Sequence, residues 1–513
     1  MEYIGRVVGR SVREIRFRAV YGEDFQLGEI LVVEDDERKR CLLARVIDIE
    51  YGADASGDGW SEQVAGNMMQ SDSKGGYEFR ERERRLFSTG VCTPLGFVAD
   101  GKFRKPKSLV PHFSKVRRAL RSDFEFLTRE MGDVEAGVLR SGERKLDISV
   151  GVDGSKFPSH VGVFATTGMG KSNLMKTLVA SVMHGQRYGM LVLDPHGEYF
   201  AGQPGYKGLS HLSDAAERLV VFSGRKLPGA HNSITISSRE INIQDLLNLQ
   251  EYSDAQREAL HALRGELGED WLVAAHEADA ADLETRLRRR FHVDTINVIK
   301  RRIERVMSSG KVSRDRGISM TRTVIEALKS AKVVLVDTSS MPEMEELLVS
   351  TVIARSVLEH YQRAYENPDD FATMPPVLIT MEEAQRVLDK SRGTVFSRIA
   401  REGRKFKVGL CAISQQPKLI DNQVISQFNT LFIMWLADKR DREILRDASK
   451  QDIADLDNEI QTLMVGEALI TSPFVPFALP AAVHCYEDYL ALLNGQKEKD
   501  GKKARAKPDK GFY

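Results

Sequence analysis

The stretch FATTGMGKSNLMK, residues 164–176, sets a glycine-rich turn between an apolar run, VGVF, and a helix-like one. No other feature restricts the fold as strongly. A strand, a tight turn and a helix in this order present several backbone N–H groups and a lysine at the positive end of a helix dipole, which is an anion site. The full phosphate-loop pattern is G-x-x-x-x-G-K-[ST]: backbone N–H groups wrap the phosphates, the lysine reaches the outer oxygens and the hydroxyl meets Mg²⁺. Ala165 replaces the first glycine, whose task is the turn out of the strand, and alanine obstructs that turn least. Gly168, Gly170, Lys171 and Ser172 keep the positions that enclose the anion, and Thr167, Met169 and Asn173 complete the loop expected to bind ATP.

From about residue 160 the runs VGVFATT, YGMLVLDP, AKVVLVDTSS, PPVLITMEE, VGLCAISQQ and NTLFIMWL alternate with helical periodicity. Continuous apolar strands separated by helices predict an α/β fold with a parallel sheet covered on both faces. Such sheets place ligands at the carboxyl ends of their strands. Glu382 and Glu383 stand at one such end. Hydrolysis of a nucleotide needs one carboxylate to help hold Mg²⁺ and another to orient the attacking water, and we expect Glu382 in the first role and Glu383 in the second. Two glutamates at a helix start also simply suit its dipole. In IAREGRKFKVGLCAISQQP, Arg401, Arg404 and Lys405 precede a strand that ends at Ser414, Gln415 and Gln416. An amide at that tip can sense the γ-phosphate, and an arginine can stabilise transition-state charge in cis or from a neighbouring subunit.

A chain of 513 residues exceeds one typical core, so several domains are expected. Residues 1–100 carry short alternating runs, YIGRVVG, EILVVED and CLLARVIDIEYG, the pattern of a small β-barrel or sandwich. Residues 101–155 read as a basic linker or helical connection. There Lys102, Arg104, Lys105, Lys107, Lys115, Arg117, Arg118 and Arg121 crowd with Phe103 and Phe113, as a solvated face or a nucleic-acid contact would. The α/β core takes residues 156–240 and 329–494, interrupted at 241–328 by a helical, charge-rich insertion. Residues 495–513 are Lys-rich without periodicity and read as a disordered tail. Seventy-four basic residues balance 74 acidic ones, so any polyanion site must be a local patch. Candidates are Arg386, Lys390, Arg392 and Arg398, or the Arg-rich run 286–290. The four scattered cysteines suit neither a disulfide framework nor a zinc site, and neither a secretory leader nor a membrane span is indicated; a cytoplasmic protein is expected.

HVGVFATTGMGKSN, LDPHGEY, ITMEEAQ and REGRKFKVGLCAISQQP, in this order, resemble the HerA family of hexameric DNA translocases, relatives of the FtsK motors. The resemblance covers nearly the whole chain. It implies an N-terminal β-barrel, a RecA-like P-loop ATPase core with an inserted helical subdomain, and ATP-driven movement of double-stranded DNA through a homo-hexameric ring, whose central channel Lys390 and Arg392 would face. It also implies a partner, either a nuclease of the NurA family or an anti-phage defence effector. By position, Lys171 and Ser172 would serve the phosphates and Mg²⁺, Glu382 and Glu383 the carboxylate roles, Gln415 or Gln416 the sensor, and Arg401 or Arg404 the finger. The chain departs from the commoner pattern at Ala165 and at Gln385, where relatives often carry His. Asp194, His196 and Glu198 match a family hallmark; fixing the strand end by hydrogen bonds is an alternative role for them. An ATP-binding scaffold that regulates an effector is a competing reading, and so is a secretion or conjugation ATPase. No LSGGQ-like signature accompanies the loop, which argues against an ABC-type ATPase.

Overall fold

The computed structural model describes residues 3–53, 60–72, 85–127, 131–203, 205–229, 231–315, 319–389 and 393–505. The alternating N-terminal runs form β1 (Gly5–Arg10), β2 (Ile15–Ala19), β3 (Ile30–Asp35), β4 (Arg40–Ala53), β5 (Leu86–Ala99), β6 (Lys102–Arg104) and β7 (Lys115–Arg118). Their order is β2-β1-β7-β3-β4-β5-β6, and a further β2–β5 pairing closes six of them into an antiparallel barrel. Val7, Phe17, Leu31, Val33, Leu42, Ala44, Val46 and Val116 fill its interior, which is what period-two patterning requires of a closed sheet.

Residues 101–155 are not a linker or a helical connection. β6 and β7 belong to the barrel sheet, while β8 (Val134–Ser141) and β9 (Arg144–Val152) form a hairpin on the second sheet. The run of basic residues conceals this, and two of them are neutralised by acids within the fold. Arg117 is buried between Glu34 at 3.0 Å and Asp123 at 2.8 Å, and Arg118 pairs with Glu23 at 2.6 Å and Glu29 at 3.2 Å.

The second sheet contains β10 (Val161–Phe164), β11 (Gly189–Asp194), β12 (Leu219–Ser223) and β13 (Asn232–Ser233); the small β14 (Ile236–Ser237) and β15 (Val312–Ser313) pair separately. β16 (Val333–Asp337), β17 (Val377–Met381), β18 (Val408–Ser414), β19 (Thr430–Ile433), β20 (Glu467–Thr471) and β21 (Leu479–Val483) follow. The order is β13-β12-β16-β11-β17-β18-β10-β19-β20-β21-β8-β9. From β13 to β19 every pairing is parallel; β20, β21, β8 and β9 continue antiparallel. Both faces are covered: Leu191 and Leu193 belong to one core, Met190 and Val192 to the other. Between β14 and β16 run the helices Ile243–Leu249, Asp254–Leu267, Trp271–Glu277, Ala280–Arg286, Val293–Met307 and Met320–Lys329. Ile296, Ile299 and Ile303 bury one stripe of the fifth, at the spacing of a single helix face. The expected disordered tail begins inside a helix, Tyr486–Arg505; residues 506–513 lie outside the described residues. Among the described residues no helix is long and apolar enough to cross a membrane, and no cluster of three or more His, Cys, Asp or Glu could hold a metal.

Barrel and core meet at a buried charge cluster. Arg45 of β4 donates to the carbonyl of Ala478 and lies 3.7 Å from Glu459, which also accepts from Arg140 of β8 at 3.0 Å. Removing the shared carboxylate takes the paired acid from Arg45 and leaves Arg140 only the longer acidic contact, to Glu467 at 3.6 Å. Glu459→Ala is expected to cost roughly 3–5 kcal/mol in urea unfolding, against less than about 1 kcal/mol for Glu326→Ala in an exposed pair with Arg322. Equal effects of the two substitutions would contradict this joint.

Candidate nucleotide site

The phosphate loop leaves β10 at Phe164 and enters the helix Lys171–Gly185. Gly168 and Gly170 have φ of +83° and +97°, a region that side-chain-bearing residues rarely adopt, so these glycines are needed for conformation. Ala165 is fully buried and its N–H donates to the Ser414 carbonyl at 3.4 Å, so the methyl group fits where the first glycine is absent. Lys171 arches over the loop, its Nζ donating to the carbonyls of Ala165 at 3.0 Å and Thr166 at 3.1 Å. Burial pushes this ammonium down from its usual range, and the charges of Glu382 and Glu383 oppose that shift.

Parallel register brings the other groups to the same edge. Phe164 pairs with Ser414, and Met381 pairs with Ala412, so Gln415 and the two glutamates follow strand ends that are level with the loop. Thr167 Oγ1 donates to Gln415 Oε1, and Gln415 Nε2 donates to Glu383 Oε1 at 2.9 Å. Glu382 faces the other way: Tyr199 donates its hydroxyl to Oε1, and His196 Nε2 lies 4.0 Å from Oε2. Burial pushes the Glu382 carboxyl up, the Tyr199 hydrogen bond works against this, and the nearby Asp194 charge adds to it.

Asp194 is an internal clamp. Its Oδ1 accepts from the N–H groups of His196, Gly197 and Glu198 at 3.1, 2.7 and 3.3 Å, and its Oδ2 from that of Tyr199 at 3.1 Å. Glu198 accepts from Gln203 at 2.6 Å. Asp194 thus fixes the strand end, and Tyr199, which sequence reasoning passed over within the same motif, carries the contact to Glu382. Asn173 is committed to the C-terminal segment, donating to the His484 carbonyl at 2.7 Å and accepting from the Tyr486 N–H at 2.9 Å. The Gly466 N–H donates to the Met169 carbonyl at 3.3 Å, so the β20–β21 return also braces the loop. A contact between segments some 300 residues apart leaves no local signal.

Arg401 and Arg404 are not beside the loop. They are exposed and precede β18, whereas the loop follows β10, which runs parallel to it. The seven residues of β18 separate the two edges by roughly 20 Å. Arg404 instead lies near His160 at the start of β10; burial, above all, pulls this histidine down to about 4, and its Nδ1 accepts from the Leu410 N–H at 3.0 Å. Gln416 is exposed, and its N–H donates to Ser414 Oγ at 3.0 Å. Of the proposed channel residues, Arg386 pairs with Glu343 at 2.9 Å and Arg398 with Glu402 at 3.3 Å, while Lys390 and Arg392 lie outside the described residues.

Residues 134–357, from β8 into the helix Glu343–Ala364, match the family model described as the central domain of helicase HerA. A DNA double-strand break repair helicase HerA of Sulfurisphaera tokodaii is 24% identical over 98% of this chain and 97% of its own length. Residues 134–357 thus carry a central domain of the HerA kind. A probable helicase of Methanocaldococcus jannaschii is 28% identical, covering 71% of this chain and 69% of the relative. Among solved structures, the plasmid coupling protein TrwB with a GTP analogue is 14% identical with a TM-score of 0.48, over 72% of this chain and 93% of that one. VirB4 of Thermoanaerobacter pseudethanolicus is 14% identical with a TM-score of 0.47, over 70% and 98%. Its similarity to these helicases makes the chain an ATP-hydrolysing P-loop enzyme, and the loop that follows β10 is the candidate nucleotide site. The similarity leaves the division of labour around the phosphates to the residues themselves.

Two substitutions separate binding from turnover. Lys171→Ala is expected to weaken ATP binding at least tenfold in equilibrium titration, because it removes a ground-state charge contact. Glu383→Gln is expected to leave affinity within about threefold and to lower kcat by at least a hundredfold. Turnover of Glu383→Gln at the parent rate would remove Glu383 from the catalytic role.

Proposed function

We propose that the protein is a ring-forming, ATP-driven translocase or helicase of double-stranded DNA, a cytoplasmic homo-hexamer that works with a partner nuclease of the NurA kind or with an anti-phage defence effector. One observation carries the ring: the loop, Lys171, Glu383 and Gln415 meet at one sheet edge, while Arg401 and Arg404 stand exposed at the opposite edge. A finger arginine so placed reaches a nucleotide only on another subunit, so each site is completed by a neighbour. The names of the HerA relatives, DNA double-strand break repair helicases, support duplex DNA as the substrate.

In this reading Lys171 and the backbone N–H groups from Thr167 to Asn173 hold the phosphates, Gln415 senses the terminal one, and Glu383 orients the attacking water. Ser172 and Glu382 would hold Mg²⁺, which supplies positive charge to the phosphate oxygens. One hydroxyl and one carboxylate are a fitting donor set for an ion that keeps several waters and binds substrate phosphates as well. DNA would be gripped by its backbone, because the balanced overall charge leaves only local patches to meet it.

Mixed rings test the shared site. Arg404→Ala or Arg401→Ala subunits are expected to bind ATP without turning it over, and mixing them with Glu383→Gln subunits should restore part of the parental rate at interfaces that combine intact halves. No recovery in rings shown to exchange subunits would sink the trans assignment for that arginine. Affinity for duplex DNA should fall linearly with salt on logarithmic axes and vary little with base sequence; strong sequence preference would contradict backbone gripping.

A further inference from the structure

Glu383 is held by both of its carboxylate oxygens. Gln385 Nε2 donates to Oε2 at 2.5 Å, and Gln415 Nε2 donates to Oε1 at 2.9 Å. A carboxylate can only accept, so each amide must turn its NH₂ group toward Glu383 and its carbonyl away. Each carbonyl then meets a hydroxyl that donates to it: Ser414 Oγ to Gln385 Oε1 at 2.7 Å, and Thr167 Oγ1 to Gln415 Oε1.

The two supports differ in what anchors them. Ser414 is the buried last residue of β18, and its oxygen also accepts the Gln416 N–H at 3.0 Å, so its orientation is fixed by the sheet. Thr167 is an exposed residue of the phosphate loop itself. The backbone of Glu383 adds to the need for support. It has φ of +49°, a left-handed conformation that turns the chain sharply between the two glutamates and aims Glu382 at Tyr199 and Glu383 at the amides.

We propose that Gln385 is the positioning residue of the hydrolytic glutamate, holding Oε2 from the fixed end of β18 while Gln415, tied to the phosphate loop, releases Oε1 when nucleotide occupies that loop. The inference rests on Glu383 being the residue that orients water. A nucleotide in the loop competes for Thr167 and Gln415, the two groups that already reach it. Oε1 is then free to accept a hydrogen bond from the attacking water, and Oε2 stays anchored, so the carboxylate keeps its direction through the exchange. No bond is made or broken in this step; one amide hydrogen bond to Oε1 is replaced by one from water.

The test uses the full chain in rings, with Gln385→Met, Gln385→His and Ser414→Ala each made alone and with Glu383→Gln. Methionine keeps the length of the side chain and removes the donor. A neutral imidazole can donate from one nitrogen and accept on the other, so histidine can reproduce both contacts. Gln385→Met should lower kcat by about tenfold to a hundredfold, the cost of a misdirected catalytic group, with ATP affinity unchanged. Ser414→Ala should lower kcat less, and Gln385→His should stay within about threefold of the parent. In the Glu383→Gln background, Gln385→Met should have no further effect on residual turnover, because there is no carboxylate left to aim.

Parental kcat in Gln385→Met, or an equal loss in both backgrounds, overturns the proposal. If Gln385→Met fails to fold, parental kcat in Ser414→Ala overturns it in the same way. Parental turnover in Glu383→Gln alone overturns the prior reading of Glu383 instead, so the two failures are distinct.

Discussion

The parallel pairing of β10 with β18 is the constraint on which the site depends. Its register sets Phe164 beside Ser414, so the strand carrying the phosphate loop and the strand carrying Gln415 end at one level. β17 pairs on the far side of β18, with Met381 opposite Ala412, and brings Glu382 and Glu383 to the same edge. The interposed strand does chemical as well as structural service: its terminal Ser414 and the following Gln415 connect a loop and a carboxylate that are not on neighbouring strands. A slip of one residue in either pairing would turn these side chains to the opposite face of the sheet and dissolve the network.

Support for the loop comes from far along the chain. Asn173 receives and donates hydrogen bonds to the segment at His484–Tyr486, and Gly466 bonds to Met169, so the C-terminal return of the sheet holds the loop from outside. The same return carries Glu459, which joins Arg45 of the barrel and Arg140 of β8. Barrel, antiparallel extension and phosphate loop therefore share one stretch of chain, residues 459–486. This arrangement gives the return a double packing duty, toward the nucleotide and toward the barrel.

Much of this was legible in the sequence, for reasons that can be stated locally. The loop, the continuous apolar strands and the carboxylate pair are short-range patterns tied to backbone geometry and sheet burial, and each occupies the expected place. The charge run at Lys102–Arg121 misled, because composition cannot reveal that Arg117 and Arg118 meet Glu34 and Glu29, acids some 80 to 90 residues earlier in the chain. Beneath it, the alternation of VEAGVLRS and RKLDISVGV around the turn at Gly142 was the better signal, and it belongs to a β-hairpin. The roles of Tyr199 and Asn173 were hidden for a related cause: their partners, Glu382 and the His484–Tyr486 segment, are close only after folding. Gln385 stood out in the sequence solely as a departure from a motif; its contact with Glu383 supplies the physical content.

An active site divided between subunits is the central claim, and the dependence of ATP turnover per subunit on protein concentration, followed alongside sedimentation, tests it most directly. Turnover per subunit should rise steeply over the concentration range in which rings assemble and should be nearly absent where monomers dominate, because Arg401 and Arg404 stand some 20 Å of β18 away from their own loop. Constant turnover per subunit down to concentrations at which only monomers sediment would contradict the account.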